Sequence, residues 1–185
     1  MKVRQKLLRV LFMTDWIMTT GECNVEFRPV TDNEIDRAHE IEMSFFPVEE
    51  AVKKDTFMRS HHHTKELFLG CYDNGELVGY ILGSRYHKDS YEPECMRRCV
   101  DGGKVLCLHS ICLVQTERRK GVGSKLMQKY IEMLRKSFSD LDGIVLVSKK
   151  YLLPFYTKLG YKIRGPANIT FGDDPWYELW YDLKE

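Results

Sequence analysis

Apolar residues recur along this chain with two different periods, and the alternation between them predicts a succession of strands and helices. Residues 25–30 alternate apolar and polar side chains, which predicts a first strand. The next four residues, Thr31-Asp32-Asn33-Glu34, have the Thr-x-x-Glu order of a capping box and predict the start of a helix. The apolar residues expected along one side of this helix are Ile35, Ala38, Ile41 and Phe45.

A hairpin is predicted in the middle of the sequence. Two apolar runs, 67–72 and 77–86, flank Asp73-Asn74-Gly75, and Asn and Gly tolerate the positive φ angles of a tight turn. These runs are therefore expected to be antiparallel neighbours. A second helix is expected before them, over residues 49–62.

The second half of the chain continues the alternation after a polar loop over residues 87–103. The expected order is strand, amphipathic helix, strand, short helix and two closing strands, at 104–114, 125–138, 143–148, 152–159, 161–164 and 176–183. Strands that alternate with helices in this way predict an α+β fold, with a mixed central sheet of about seven strands flanked by helices.

Length and composition fit one domain. The chain has 185 residues, 43% of them apolar, which is enough for one core of ordinary size. We expect the domain over residues 24–185, after an extension over residues 1–23. This extension has a weak resemblance to a targeting peptide, because basic residues precede the apolar run at 10–13. That run is too short to span a bilayer.

Charge and cysteine content exclude several functions. A formal net charge of +1 without a long basic run argues against binding to nucleic acid or to an anionic membrane. The six cysteines lack paired Cys-x-x-Cys spacing, so we expect reduced thiols in the cytoplasm. His61-His62-His63 and the pair Cys95 and Cys99 lack completing ligands, and no metal site is predicted.

The most informative motif is Arg-Arg-Lys-Gly-Val-Gly-Ser at residues 118–124, between a predicted strand and a predicted helix. Glycines let the backbone turn tightly and approach a ligand, and the start of a helix offers unpaired N–H groups to an anion. The motif therefore favours a diphosphate site. Walker and dinucleotide-binding patterns do not fit, because Arg118 and Leu126 stand where these need small residues. A glycine-rich turn without a ligand is the alternative.

Together with this loop, several segments in order resemble the arylalkylamine (serotonin) N-acetyltransferase branch of the GNAT superfamily. They include Phe27-Arg28-Pro29-Val30-Thr31, residues 77–83, residues 106–111, Leu153-Pro154-Phe155-Tyr156 and Leu159-Gly160-Tyr161. The resemblance covers roughly residues 25–183. It implies a GNAT-type sheet, acetyl-CoA as co-substrate and a small primary amine, such as serotonin or tryptamine, as acceptor. We expect a monomer.

The resemblance implies catalytic roles for His109 and Tyr156. An alkylammonium must lose a proton before it attacks, and His109, with an ordinary pKa of about 6.5, is the candidate base, directly or through a water. In the family a second histidine occupies the position of Cys107, so a one-histidine relay and a different base are both open. Period two places Cys107, His109 and Ile111 on one face of the strand. Tyr156 corresponds to the general acid that protonates the CoA thiolate.

Cys107 has two interpretations. Beside His109 it is a candidate nucleophile that would carry the acetyl group covalently. The simpler interpretation, which we favour, is a small apolar core residue, because direct transfer needs no nucleophile on the enzyme.

Binding residues follow from the same resemblance. The candidates for cofactor binding, mainly through their backbone, are Ile111, Cys112, Leu113, Arg118, Arg119, Lys120, Gly121, Val122, Gly123, Ser124 and Tyr156. The candidates for the wall of an aromatic acceptor site are Phe45, Phe46, Pro47, Val147 and Trp176.

Other acceptors and another class of function are left open by the sequence. A polyamine would favour the carboxylates Asp89, Glu92, Glu94, Asp173 and Asp174. A protein lysine is also a possible acceptor. Because the first histidine of the family is absent, an acetyl-CoA-binding regulatory module without turnover is the alternative from a different class.

Overall fold

A seven-stranded mixed sheet runs through the part of the chain that the structure describes, residues 25–185 of a computed structural model. Its strands are β1 Glu26–Pro29, β2 Phe68–Asp73, β3 Glu76–Tyr86, β4 Val105–Leu113, β5 Gly143–Lys149, β6 Lys162–Pro166 and β7 Trp176–Asp182. The helices are α1 Ile35–Phe45, α2 Lys54–His63, α3 Val122–Ser137 and α4 Leu153–Lys158. The spatial order is β1-β2-β3-β4-β5-β7-β6, which confirms the predicted α+β class.

The centre of the sheet is its least regular part. β4 and β5 are parallel and pair only over Val105–Cys107 and Gly143–Val145, although β4 continues to Leu113 and β5 to Lys149. All other neighbouring strands are antiparallel and pair over longer stretches. The two central strands therefore separate after Cys107 of β4 and Val145 of β5.

A bulge interrupts the pairing of β4 with β3. Leu82 is opposite Ser110 and the next residue, Gly83, is opposite Leu108, so His109 has no partner of its own across the ladder. The extra residue changes which side chains share a face. Ile111 packs with the α3 side of the sheet, whereas Cys107 packs on the other side, so the prediction that Cys107, His109 and Ile111 share one face is wrong.

The two faces of the sheet carry separate cores. One face packs against α3 and α4, with Leu106, Leu126 and Tyr130 fully buried. The other packs against α1 and α2, where Phe57 and Tyr80 are central. A third cluster, which includes Tyr91 and Cys107, lies under the connection between β3 and β4. Strands β3 and β4 are thus covered on both sides.

Short-range signals explain the ends of several elements. The Glu34 carboxylate accepts a hydrogen bond from the Thr31 N–H at 2.9 Å, which is the predicted capping-box contact. Asn74 and Gly75 have φ angles of 48° and 84°, which confirms the predicted hairpin turn.

Some predicted boundaries were wrong. The helix expected at 125–138 begins three residues earlier, at Val122, because Gly121 takes the N-cap position with a φ of 81°. The helix expected at 49–62 begins only at Lys54, after a turn. The predicted extension over residues 1–23 lies outside the described residues. Among residues 25–185 no helix is long and apolar enough to cross a membrane.

Gly143 tests the packing where β5 begins. A Cβ atom at this position would lie 2.1 Å from Cζ2 of Trp180, a rigid side chain on β7. We expect Gly143→Ala to lower the free energy of unfolding by about 1–3 kcal/mol through overpacking, measured by urea denaturation. The exposed Ser139→Ala, four residues earlier, is the control and should change stability by less than about 0.5 kcal/mol. Equal stability of the two variants would contradict the close Gly143–Trp180 contact.

Candidate active site

The separation of β4 from β5 opens a cleft beside the second half of β4. Ile111, Cys112 and Leu113 lie there, beyond the last residue that pairs with β5. On their other side they pair with β3 opposite Ile81, Tyr80 and Gly79. The β5-facing edge of β4 therefore presents backbone N–H and C=O groups that β5 does not satisfy. An extended ligand that carries amide groups can pair with this edge as an additional strand would.

The glycine-rich loop leads from this edge into α3. Arg119 and Gly121 have φ angles of 64° and 81°, so the backbone turns sharply twice before the helix. The Lys125 N–H donates to the Gly121 C=O at 3.1 Å as the first hydrogen bond of the helix. The N–H groups of residues 122–124 precede it and have no acceptor inside the helix. With the helix dipole they form a site suited to a diphosphate.

The long side chains of the loop do not all point to this site. The Arg118 Nε donates to the Leu113 C=O at 2.9 Å, and its guanidinium carbon lies 4.5 Å from the centre of the Phe45 ring. Arg118 thereby links the loop to the end of α1, and burial lowers its pKa. Lys120 forms an ion pair of 3.0 Å with Glu117. Backbone groups are thus better placed for a diphosphate than the Arg118 side chain is.

His109 lies at the bulge, half-buried, on the face of the sheet that also carries Cys107. Its Nε2 is 2.8 Å from the Ser84 Oγ. Among the buried side-chain nitrogen and oxygen atoms of residues 25–185, His109 Nδ1 alone has no hydrogen-bond partner. A basic group with an unpaired nitrogen is therefore present where the two central strands separate.

Two thiols lie next to this histidine. Cys107 is fully buried, and contact with Cys95, burial and the charge of Cys95 raise its pKa far above the ordinary range. Burial also acts on Cys95, but hydrogen bonding with Cys107 and then with His109 outweighs it and lowers the pKa of Cys95. The pair thus loses one proton readily and holds the second. Cys107 is the thiol that keeps its proton, which disfavours its role as a nucleophile.

Tyr156 lies at the other side of the cleft, in α4. It is 5% exposed and shares a buried cluster with Leu113 and Val122, which places α4 against the end of β4 and the start of α3. Burial is the main cause that raises the pKa of Tyr156 above its ordinary value. The phenol is consequently protonated at neutral pH, as a general acid must be.

The predicted acceptor residues fall into three groups. Phe45 and Phe46 touch each other, with ring centres 4.7 Å apart, at the end of α1, and Pro47 follows them at the surface. Trp176 lies at the start of β7, opposite Lys149. Val147 packs with the cluster that contains Cys107.

An ion pair connects two of these groups. The Lys149 Nζ at the end of β5 is 2.7 Å from the Glu50 carboxylate, and both side chains are nearly buried. Lys149 also lies 4.3 Å from the Trp176 ring centre. The segment after α1 and the start of β7 therefore meet at the open end of β5. Sequence analysis missed this pair, because its partners are 99 residues apart.

A buried carboxylate behind β4 was also missed. Glu42 of α1 is fully buried and accepts hydrogen bonds from the Tyr80 hydroxyl at 2.5 Å and the Ser110 hydroxyl at 2.6 Å. The Cys112 thiol donates to the same oxygen at 3.1 Å, and the Val52 N–H donates to the other oxygen at 2.7 Å. Four donors thus replace the water that a carboxylate loses on burial. This network fixes α1 against β3 and β4.

Within residues 25–185, no group of three or more His, Cys, Asp or Glu side chains is arranged to hold a metal ion. Cys95, which sequence analysis considered only with Cys99, instead contacts Cys107 and His109.

Comparison of the sequence with known families identifies the class of protein. The profile described as Acetyltransferase (GNAT) family matches residues 35–161, which is more than half of the chain. The chain therefore belongs to the GNAT acetyltransferase family.

Curated relatives support the branch that the motifs predicted. Serotonin N-acetyltransferase of Mesocricetus auratus is 34% identical over 119 residues, which cover 64% of this chain and 57% of the relative. Serotonin N-acetyltransferase of Pan troglodytes is 30% identical over 163 residues, which cover 86% of this chain and 78% of the relative. The first match thus spans little more than half the length of the relative. The resemblance to the arylalkylamine branch is confirmed.

Solved structures share the fold at low sequence identity. The loading GNATL domain of CurA from Lyngbya majuscula has a TM-score of 0.76 at 13% identity, covering 86% of this chain and 98% of that domain. NAA60 of Arabidopsis thaliana, solved in complex with acetyl-CoA, has a TM-score of 0.68 at 16% identity, covering 86% and 99%. The predicted GNAT-type sheet is confirmed.

The turn at Gly121 gives a test of the diphosphate loop. A β-branched residue is strained at a positive φ, by about 1–2 kcal/mol, and relaxation of the turn would move the N–H groups that follow it. We expect Gly121→Val to weaken acetyl-CoA binding by about 5- to 30-fold in calorimetry.

Gly102→Val is the matched control for this variant. Gly102 has a φ of 71°, and a Cβ atom added there would have no other atom within 4 Å, which is also true of Gly121. Unlike Gly121, Gly102 precedes the opposite end of β4. It should carry the same backbone strain with unchanged acetyl-CoA affinity. Equal affinity of both variants would contradict the assignment of the loop.

Proposed function

We propose that this protein is an acetyl-CoA-dependent N-acetyltransferase that transfers acetyl to a small primary amine, an arylalkylamine such as serotonin or tryptamine. The observation that carries the proposal is the continuous path formed by the open edge of β4 and the N-terminus of α3. The pantetheine amides pair with residues 111–113, and the diphosphate binds the N–H groups of residues 122–124. Tyr156 packs beside Leu113 at the end of β4, and His109 lies at the bulge of the same strand.

The chemistry follows from these positions. His109 takes one proton from the alkylammonium, and the neutral amine then attacks the thioester carbonyl carbon. As the tetrahedral intermediate collapses, the C–S bond breaks and Tyr156 gives its proton to the CoA thiolate. The nitrogen of the new amide still carries two protons, and the tyrosinate recovers one of them to give the neutral amide. His109 releases its own proton to solvent. Burial raises the pKa of the Tyr156 phenol. It also raises the pKa of a CoA thiol that lies beside the phenol, because both anions lose solvation.

The acceptor assignment rests on the relatives and on the aromatic wall. Phe45 and Phe46 supply flat apolar surface at the end of α1, and both relatives named above are serotonin N-acetyltransferases. Trp176 is 8% exposed beneath Lys149, so it would support this wall from behind. Two of the carboxylates that would favour a polyamine already have cationic partners. Asp89 lies 3.6 Å from Arg164, and Glu92 lies 2.8 Å from Lys88.

A polyamine acceptor is the second candidate, favoured by one feature. A cleft of about 590 Å³ beside β6 and β7 is lined by Glu92, Glu94 and Glu178, with Arg164 as the opposing charge. Such a surface attracts a ligand with several ammonium groups.

Release of free thiol from acetyl-CoA distinguishes these acceptors. The panel contains tryptamine, serotonin, phenylethylamine, spermidine, putrescine and a lysine-containing peptide, and each acetylated product is identified by mass spectrometry. We expect turnover with the aromatic amines. Turnover with polyamines alone would move the acceptor to the acidic cleft. Acetyl-CoA binding without turnover would favour a regulatory module. As part of the proposal we place the enzyme in the cytoplasm, since its described cysteines are free thiols, and we expect a monomer.

Tyr156→Phe tests the general acid. Removal of the phenolic proton should lower kcat by about 10²-fold, because proton transfer to the leaving group contributes only as the C–S bond breaks. Affinity for acetyl-CoA, measured by calorimetry, should fall much less than kcat.

Tyr161→Phe is the matched control. Its ring packs 5.6 Å from that of Tyr156, and its hydroxyl donates to the Met127 sulfur instead of facing the cleft. We expect near-normal kcat for this variant. If Tyr156→Phe also turned over at the normal rate, Tyr156 would not be the acid.

A further inference from the structure

We propose that the buried ion pair between Lys149 and Glu50 closes the acceptor end of the cleft, and that Lys149 is a positioning residue that sets the Michaelis constant for the amine. A closed end also limits the acceptor to a small molecule and excludes a polypeptide. The acceptor role rests on the proposed function. The closure itself depends only on contacts within the protein, and it can be measured without an amine.

Lys149 lies across the cleft from the open part of β4. The two strands are parallel, and their last paired residues are Cys107 of β4 and Val145 of β5. Ile111 and Lys149 each follow the last paired residue of their strand by four positions, so they lie at similar heights on the two diverging strands. Lys149 therefore belongs to the wall opposite the proposed acetyl-CoA edge.

The segment that follows α1 crosses the gap between these two walls. At its start, the Phe45 ring lies 4.5 Å from the guanidinium carbon of Arg118, whose Nε donates to the Leu113 C=O of β4 at 2.9 Å. Five residues later, the Glu50 carboxylate accepts a hydrogen bond from the Lys149 Nζ of β5 at 2.7 Å. This short segment is thus attached to β4 at one end and to β5 at the other.

Hydrogen bonds within and behind the segment make it stiff. The Glu50 and Ala51 N–H groups both donate to the Pro47 C=O at 2.9 Å, which forms one tight turn. The Val52 N–H donates to the buried Glu42 carboxylate at 2.7 Å. The turn is therefore expected to move as a unit, and its position depends on the contact that holds Glu50.

The connection between β6 and β7 meets the same ion pair. The Lys149 Nζ lies 3.5 Å from the Asp174 C=O and 4.3 Å from the centre of the Trp176 ring. A Cβ atom added at Gly172 would lie 2.5 Å from the Glu50 carboxylate, so the backbone of this connection covers the pair closely. The Lys149 and Glu50 side chains are only 7% and 12% exposed. The pair thus fills the space between the two segments, through which an extended peptide would have to pass.

Burial makes the arrangement sensitive to the loss of either partner. Without the Lys149 ammonium, the Glu50 carboxylate would be a nearly buried charge without its counter-ion, which is costly. Glu50 would then turn toward water and take the tight turn with it. Phe45 and Phe46, which directly precede this turn, would lose their position as the proposed acceptor wall. Binding of the amine should weaken, whereas the acetyl-CoA edge on β4 should be unaffected.

Chemical labelling of lysines tests the closure without any acceptor. The N-hydroxysuccinimide ester of acetic acid modifies accessible lysines, and mass spectrometry gives the rate at each position. We expect Lys149 in the wild-type protein to react at least about tenfold more slowly than its exposed neighbour Lys150. Glu50→Gln should speed the labelling of Lys149 and leave that of Lys150 unchanged. Equal rates at Lys149 and Lys150 in the wild-type protein would show that the pair is open and would overturn the inference.

Steady-state kinetics with the best acceptor of the panel, expected to be tryptamine, test the role of Lys149. Lys149→Met keeps an apolar stem against Trp176 but removes the charge. It should raise the Michaelis constant for the amine about tenfold, with kcat changed less than about twofold and acetyl-CoA affinity unchanged in calorimetry. Glu50→Gln should have a similar effect. The double variant should be no worse than either single variant, because the two side chains act as one unit.

Arg85→Met is the matched control. Arg85 forms an ion pair of 2.7 Å with Asp140, and it lies on β3 opposite Leu106, before β4 and β5 separate. This variant should lower thermal stability without raising the Michaelis constant. A rise in both variants, or in neither, would contradict the positioning role of Lys149.

Two outcomes with wild-type protein separate this inference from the proposed function. Turnover of a lysine-containing peptide as fast as that of tryptamine would overturn the closure, although the protein would still be an acetyltransferase. Absence of any acetylation would overturn the proposed function and with it the acceptor role of Lys149, while the labelling rates would still decide whether the ion pair is closed.

Discussion

The separation of β4 from β5 after three paired residues is the constraint on which the site depends. Two parallel strands that stayed paired would satisfy each other's backbone groups and leave no edge for a ligand. Instead the second half of β4 keeps its partner β3 on one side and is open on the other. An edge strand inside a sheet is a liability unless something pairs with it, and a ligand with its own amide groups is a suitable partner. The sheet is thereby incomplete at the edge where we propose that acetyl-CoA binds.

The residues behind β4 hold this open strand in place. Glu42 collects donors from Tyr80, Ser110 and Cys112, so that one buried carboxylate connects α1 with both central strands. Removing one partner of such a network leaves a buried polar group unsatisfied, which is costly. The bulge at His109 is held from the opposite end by Ser84. A rigid rear side and an open edge together allow the histidine to be positioned without support from β5.

The sequence was sufficient for the elements with strong local signals. The hairpin at Asn74-Gly75, the capping box at Thr31 and the glycine-rich turn before α3 were predictable, because each depends on residues only a few positions apart. The exact start of α3 was not predicted. The bulge was not predictable, since it depends on how β4 aligns with β3, and it invalidated the simple alternation of faces.

Long-range polar contacts were equally hidden from the sequence. Lys149 with Glu50 and Glu42 with Ser110 join residues that are far apart in the chain, and nothing in their local patterns marks them as partners. His109 and Tyr156 were found through motif resemblance, whereas Ser84 and Cys95 required the fold. The residue types of a motif can therefore be recognised from the sequence, but the hydrogen bonds that set their protonation can be identified only from the structure.

Amide hydrogen exchange with and without acetyl-CoA tests the central claim most directly, because the claim concerns backbone groups that mutation cannot remove. On addition of acetyl-CoA we expect slower exchange in two segments, residues 108–113 on the open edge of β4 and residues 121–124 at the start of α3. The hairpin around Asn74 should exchange at an unchanged rate. Protection confined to other parts of the chain, with neither segment affected, would contradict the assignment of this edge as the cofactor site.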